Sequence, residues 1–421
     1  MSQKLLHGVV VILLLLCPSG SFAQQIQRGT LKRLDIPGKK VTVEIDGKTR
    51  EFILTDDTQV RGGAGQDLAE KLKNFRAGSA ILVRPETRNG KEVLTGIALA
   101  DRTGDNAPAR PAAGERRLVS PAETKSLKPL NELGTEKYHG FEGGFYPGGS
   151  NQRPREHAAA GLQIARQVQP LNALGQPDPN GKIVLLSVGM SNTSQSSQGF
   201  EQALRSARDV NPRVQFVNGA QGGMTAAAIQ DPDDGRRGSQ YWNTVDQRLQ
   251  QANATRAQVQ VIWIKQADAG PTQGFPRYAE TLQAELARIV RIFPQRFPNA
   301  KLVYLSSRTY GGYATTGLNP EPYAYESAFS VKWLIEQQIR GDKSLNFDPE
   351  RGEVTAPWLS WGPYLWANGS TPREDGFAYA PEDFAPNDGT HLSPSGQRKV
   401  GQLLLKFFQS DETTKPWFLR Q

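Results

Sequence analysis

Cysteine is almost missing from this chain. Its 421 residues include one cysteine, Cys17, with three methionines and four histidines. One thiol excludes a disulfide scaffold and any cysteine-based zinc site. Four histidines leave few positions able to supply an imidazole base. Beyond the first two dozen residues no apolar run is long enough to span a bilayer, which excludes a multi-span membrane protein. The 37% apolar content and mixed charge exclude a disordered chain. Charge of one sign is not dominant: 50 Lys+Arg oppose 42 Asp+Glu, for a net +8. The basic excess is scattered among nearly as many acids, which argues against a nucleic-acid partner.

What is present begins with an export signal. Lys4 gives a positive start, Val9 to Leu16 form an unbroken apolar run, and Ser21-Phe22-Ala23 places small residues where a signal peptidase reads. These features predict a signal peptide over residues 1–23. Cleavage would remove Cys17 and leave an exported chain, periplasmic or extracellular, with no stable membrane insertion.

Residues 26–101 read as a small β-barrel-like domain. Short alternating stretches recur at Gly29–Leu34, Lys40–Ile45, Arg50–Leu54, Ala80–Arg84 and Val93–Ala98, and Asp46-Gly47 is a strong hairpin signal. A helical stretch interrupts them at Gln66–Phe75. This pattern fits a barrel of the SH3 or OB type, with no catalytic constellation. Residues 102–127, dominated by Ala, Pro, Gly, Arg and Glu, read as a linker. From 128 to 412 strands alternate with helices. Expected strands are Lys182–Val188, Val214–Val217, Val259–Ile264 and Lys301–Ser306; expected helices are Phe200–Ala207, Trp242–Ala252, Ala279–Phe293, Tyr323–Ile339 and Gly396–Gln409. This order predicts an α/β domain around a parallel sheet. Chemistry in such sheets lies beyond the carboxyl ends of the strands.

The strand ends carry the candidate residues. After the first comes Gly189-Met190-Ser191-Asn192, a sharp turn that would project the Ser191 hydroxyl above the sheet. After the second comes Asn218-Gly219-Ala220-Gln221-Gly222-Gly223-Met224-Thr225, whose backbone N–H groups could stabilise an oxyanion. After the third comes Lys265-Gln266-Ala267-Asp268, with a side-chain amide. Near the C-terminus, Asp388 and His391 stand three residues apart before a helix, a spacing that lets a carboxylate orient an imidazole. Behind the signal peptide the histidines are His139, His157 and His391, and His391 alone has an aspartate at that spacing. His157, beside Arg155 and Glu156, reads as solvated.

Together these motifs resemble the SGNH hydrolase superfamily, the GDSL-type esterases and lipases. The resemblance covers about 180–412. It implies a flavodoxin-like three-layer α/β/α sandwich with a parallel sheet. Ser191 would be the nucleophile, Asp388 the orienting acid and His391 the base, with oxyanion donors at the Ser191 and Gly223 N–H groups. Two positions depart from the pattern: Met190 replaces the Asp of Gly-Asp-Ser, and the third-block Asn is missing. Gly189-Met190-Ser191-Asn192 and Gln266-Ala267-Asp268 are similar to the carbohydrate-esterase branch, the sialate O-acetylesterases and acetylxylan esterases. That branch would make Gln266 a third oxyanion donor.

The expected activity is ester hydrolysis through an acyl-enzyme, with a small-molecule or polysaccharide ester as substrate and no metal or organic cofactor. Trp358, Trp361, Tyr364 and Trp366, with three of the seven tryptophans, fall shortly before the Asp-x-x-His loop, where they could stack on sugar rings, or form a folded lid or pack against the sheet. Asn192, Arg308, Trp361 and Trp366 are the expected substrate contacts. Phe141–Arg155 reads as a second rim loop. Asp231, Asp233 and Asp234 read as a solvated turn, because Pro232 and Arg236-Arg237 disfavour a calcium loop. The competing reading is an inactive polysaccharide- or envelope-binding protein on the same fold.

Overall fold

The computed structural model describes residues 27–61, 68–73, 75–88, 90–99, 124 and 126–420. The expected signal peptide and nearly all of the expected linker lie outside these residues. The chain divides into two compact units, Met1–Ala113 and Gly114–Gln421.

In the first unit, strands β1 (Gln27–Asp35), β2 (Lys40–Ile45), β3 (Lys48–Arg61), β4 (Ala80–Arg88) and β5 (Lys91–Leu99) close a barrel in the order β1-β2-β3-β5-β4, with helix α1 (Leu68–Leu72) between β3 and β4. Alternation sets the faces. Val41, Val43 and Ile45 point inward with Phe52, Leu54, Ile81 and Val83 to form a separate core. Asp46 and Gly47 both have positive φ, 49° and 74°, the backbone a two-residue hairpin turn needs. Strand β3 is longer than its alternation suggests, because its pairing with β5 shifts register between Leu54 and Gln59.

The second unit opens with short elements: α2 (Leu130–Leu133), the two-residue strands β6 (Lys137–Tyr138) and β7 (Phe141–Glu142), and α3 (Arg155–Ala165). Then come β8 (Ile183–Gly189), α4 (Ser191–Ser206), β9 (Val214–Asn218), α5 (Ala226–Ile229), α6 (Arg237–Gln251), β10 (Val259–Lys265), α7 (Arg277–Arg296), β11 (Leu302–Ser306), α8 (Tyr323–Ile339), β12 (Trp358–Trp361), α9 (Pro394–Ser410) and α10 (Lys415–Phe418). The five long-range strands form a parallel sheet in the order β12-β11-β10-β8-β9. Strands β8 and β10 are buried along their whole length, as central parallel strands must be. Helix α4 packs on α9, and α7 on α8.

Strand β12 decides between the readings of the aromatic segment in favour of packing in the sheet. Trp358-Leu359-Ser360-Trp361 pairs with β11 and is buried throughout, so it is the sheet's fifth strand and not an exposed lid. The reading of His157 is corrected. It is 6% exposed and stacks on Trp358 with centroids 4.9 Å apart, and its Nε2–H donates to Leu359 O at 2.8 Å. Residues 141–155 pack against the β12 end, where Trp361 Nε1–H donates to Phe145 O. Asp234 accepts backbone N–H groups of Arg236, Gly238 and Ser239, closing the turn before α6. Among the described residues no helix is long and apolar enough to cross a membrane.

Candidate active site

Ser191 owes its place to the turn between β8 and α4. Gly189 has φ +158°, and a Cβ there would lie 2.2 Å from Lys265 O on the neighbouring strand. Only glycine lets β8 end this tightly against β10. Met190 follows in extended backbone, and Ser191 is the first residue of a 16-residue helix. The opening N–H groups of a helix have no intrahelical acceptor, so Ser191 sits where the backbone is electropositive.

The other half of the site arrives on the loop before α9. Helices α4 and α9 approach closely because both carry glycine at the contact. A Cβ at Gly199 would lie 1.8 Å from Gln397 O, and one at Gly401 2.2 Å from the Gly199 backbone. Both helices start beside the site, which brings His391 to Ser191 across 200 positions of sequence. Two hydrogen bonds tie the pieces. Asn192 Nδ2–H donates to Thr390 O at 2.8 Å, and Leu392 N–H donates to Gln195 Oε1 at 2.9 Å.

The resulting geometry is a continuous hydrogen-bonded chain. Ser191 Oγ–H donates to His391 Nε2 at 2.8 Å, and His391 Nδ1–H donates to Asp388 Oδ2 at 2.6 Å. Asp388 Oδ1 also accepts the backbone N–H groups of His391 and Thr390, at 2.9 and 2.8 Å. Burial alone would raise the Asp388 carboxyl, but the hydrogen bonds from His391 and Thr390 outweigh it and hold the group below the ordinary aspartate value. An ionised Asp388 fixes the imidazole with its proton on Nδ1 and leaves Nε2 free to accept from serine.

A cavity of about 280 Å³ opens over this chain. Its wall includes Ser191, His391, Gly222, Gly223, Arg308 and Asn319, with apolar surface from Met190, Ala269 and Leu318. The N–H groups of Ser191 and Gly223 donate to nothing among the described residues, so both are free to point at a developing oxyanion.

Three expected contacts are placed differently. Gln266 does not line the cavity. Its Nε2–H donates to Met224 O at 2.9 Å and its Oε1 accepts from Ala267 N–H at 3.0 Å, so the amide is committed below the site. Trp366 is fully buried and donates Nε1–H to Glu321 Oε1 at 2.7 Å, and Trp361 belongs to the sheet core. Both indoles are part of the fold, because burying aromatic area and satisfying the N–H at once favours an interior place. Asn192 reaches the wall, but its amide is occupied by Thr390 O, Lys265 Nζ and Thr309 Oγ1, which makes it a brace. Arg308 lines the cavity. Sequence reasoning missed Asn319 and Leu318, which belong to a loop with no motif and reach the cavity only through tertiary folding.

No family model matches the chain, and no curated protein matches it. Solved structures offer remote likenesses. The chain is similar to the lipase Lip_vut3 from a goat rumen metagenome, at 13% identity over 53% of this chain and 96% of that one, TM-score 0.31. It is similar to the periplasmic domain of a lipopolysaccharide acetyltransferase from Salmonella ser. Paratyphi A, at 11% identity over 60% of this chain and 95% of that one, TM-score 0.29. It is also similar to apo-CusF of Escherichia coli, at 18% identity over 20% of this chain and all of that one, TM-score 0.15. What the site can do follows from its own geometry.

Proposed function

We propose that the protein is an exported serine ester hydrolase of the SGNH type that removes O-acetyl groups from carbohydrate. The observation that carries this reading is the chain Ser191–His391–Asp388, with Ser191 at a helix start beside two unpaired N–H donors. The strand order, with α4 paired to α9 and α7 to α8, supports a flavodoxin-like α/β/α layering. Within the chain, residues 26–101 are taken as a barrel domain, 102–127 as a linker and 128–412 as the catalytic domain.

The steps follow from the contacts. Ser191 Oγ attacks the ester carbonyl carbon while its proton passes to His391 Nε2. The negative charge that forms on the carbonyl oxygen faces the Ser191 and Gly223 N–H groups. Collapse breaks the carbon–oxygen bond to the alcohol, and His391 returns the proton to that leaving oxygen. Water then attacks the acyl-serine with His391 as base, releasing the carboxylic acid and restoring Ser191. Asp388 holds the imidazole and stabilises its positive form. With Gln266 engaged elsewhere the oxyanion has two backbone donors, and one missing donor typically costs about 10²–10³ in rate. A small cavity with an apolar wall at Met190, Ala269 and Leu318 suits a short acyl group. The carbohydrate part of the proposal rests on the similarity of Gly189-Met190-Ser191-Asn192 to its branch.

The test is hydrolysis of p-nitrophenyl acetate, followed by acetate release from acetylated glycans. Turnover that disappears in Ser191→Ala is expected. Equal rates in both proteins would remove Ser191 as nucleophile.

A further inference from the structure

Arg308 is the one permanently charged residue on the wall of the Ser191 cavity. It follows the end of β11 and is 3% exposed. Its Nε–H donates to Asn319 Oδ1 at 3.1 Å, and Asn319 Nδ2–H donates to Asp268 O at 3.0 Å, so the guanidinium plane is held from behind. Among the described residues its two Nη groups have no hydrogen-bond partner, and no carboxylate stands at ion-pair distance. Neither Nη is sealed from solvent, and Arg308 stands on the cavity wall.

The nearby acids are turned elsewhere. Asp388 is taken by His391 and Thr390. Glu321 is taken by the N–H groups of Gly311 and Tyr325 and by the Trp366 indole. A second basic side chain, Lys265, is buried close by with Nζ on Asn192 Oδ1, and burial and the charge of Arg308 push it well below the usual lysine range. Glu321 acts on Arg308 by charge without touching it, and a desolvated guanidinium with no carboxylate in contact is costly to hold. Its planar fork matches a carboxylate or a phosphate.

We propose that Arg308 forms an anion subsite: the substrate carries a compact anionic group, carboxylate or phosphate, beside its acyl ester, and the free Nη pair grips it. An O-acylated acidic sugar meets both demands. That this anion belongs to a substrate rests on the esterase reading; the anion site does not.

Calorimetry on Ser191→Ala tests the site without turnover, using methyl galacturonide, galactose 6-phosphate and methyl galactoside. At least one acidic sugar should bind roughly 10- to 100-fold more tightly than the neutral one, the range expected for a hydrogen bond to a charged group. The preference between the two acids identifies the anion. Adding Arg308→Gln should erase the acid preference, and Arg308→Lys, which keeps the charge but not the fork, should retain part of it. If the Gln variant fails to fold by circular dichroism, the Lys variant decides. Equal binding of acid and neutral sugars, or an acid preference that survives both substitutions, overturns the proposal.

Turnover separates the two readings. The ratio of kcat/KM for acetylated methyl galacturonide over acetylated methyl galactoside should fall towards one in Arg308→Gln. Equal losses on both esters would make Arg308 a general oxyanion donor and overturn the subsite. Anion binding without any turnover defeats the esterase reading alone, and turnover without anion binding defeats the subsite alone.

Discussion

Asp388 accepts three hydrogen bonds from its own loop, one of them from the imidazole that faces Ser191. Asp388→Asn keeps the shape but reverses the donor and acceptor pattern at Nδ1. We predict a kcat loss of about 10⁴-fold, with folding preserved by circular dichroism. Asn192→Ala should act differently. It leaves the Thr390 carbonyl and the Lys265 amine buried without partners, so stability should fall by about 1–3 kcal/mol in urea titration, with a smaller loss of kcat. His157 gives a pH signature unrelated to catalysis. Burial pushes its imidazole down to about 4, from 6.5 in an exposed histidine. The unfolded chain therefore binds the extra proton first, and stability is lost as pH falls from about 6.5 to about 4. At about 1.36 kcal/mol per unit the loss is on the order of 3 kcal/mol. Replacing His157 with Gln should flatten that part of the profile, measured by thermal midpoint against pH.

At the scale of elements, the α4–α9 contact sets the distance between Ser191 and His391. Gly401→Ala inserts a methyl where the Gly199 backbone already stands. Overpacking of this kind costs about 1–3 kcal/mol. Because both helices begin at the site, the variant should lose kcat out of proportion to its lost stability, checked by measuring both on one sample. The same elements show why some of the site was legible in the sequence. Ser191 and His391 sit at element starts, where Gly189 and the run from Ser393 to Gly396 leave strong local signals. The scarcity of histidine narrowed the choice further. Strand β12 was not legible, because Trp-Leu-Ser-Trp between prolines reads equally as a lid, and its pairing with β11 is a non-local fact. His157 and Gln266 failed for a related reason. Each is polar, each is buried, and what satisfies it, Leu359 O or Met224 O, comes from a distant segment. The barrel alternation was easy to read, since one buried face imposes a period of two.

At the scale of the whole molecule, the chain is two units with separate cores, and every residue of the candidate site belongs to the second. A protein beginning near residue 124 should therefore fold alone and keep the proposed ester turnover. An insoluble or inactive product would show that the barrel is needed for more than its own stability. Covalent trapping tests Ser191 most directly as the proposed nucleophile of an acyl-transfer site. The protein is treated with a fluorophosphonate and its peptides are analysed by mass spectrometry. We predict one adduct, on the peptide holding Ser191, with labelling abolished by His391→Ala. An unlabelled Ser191, or label on another serine at the same rate, would contradict the account.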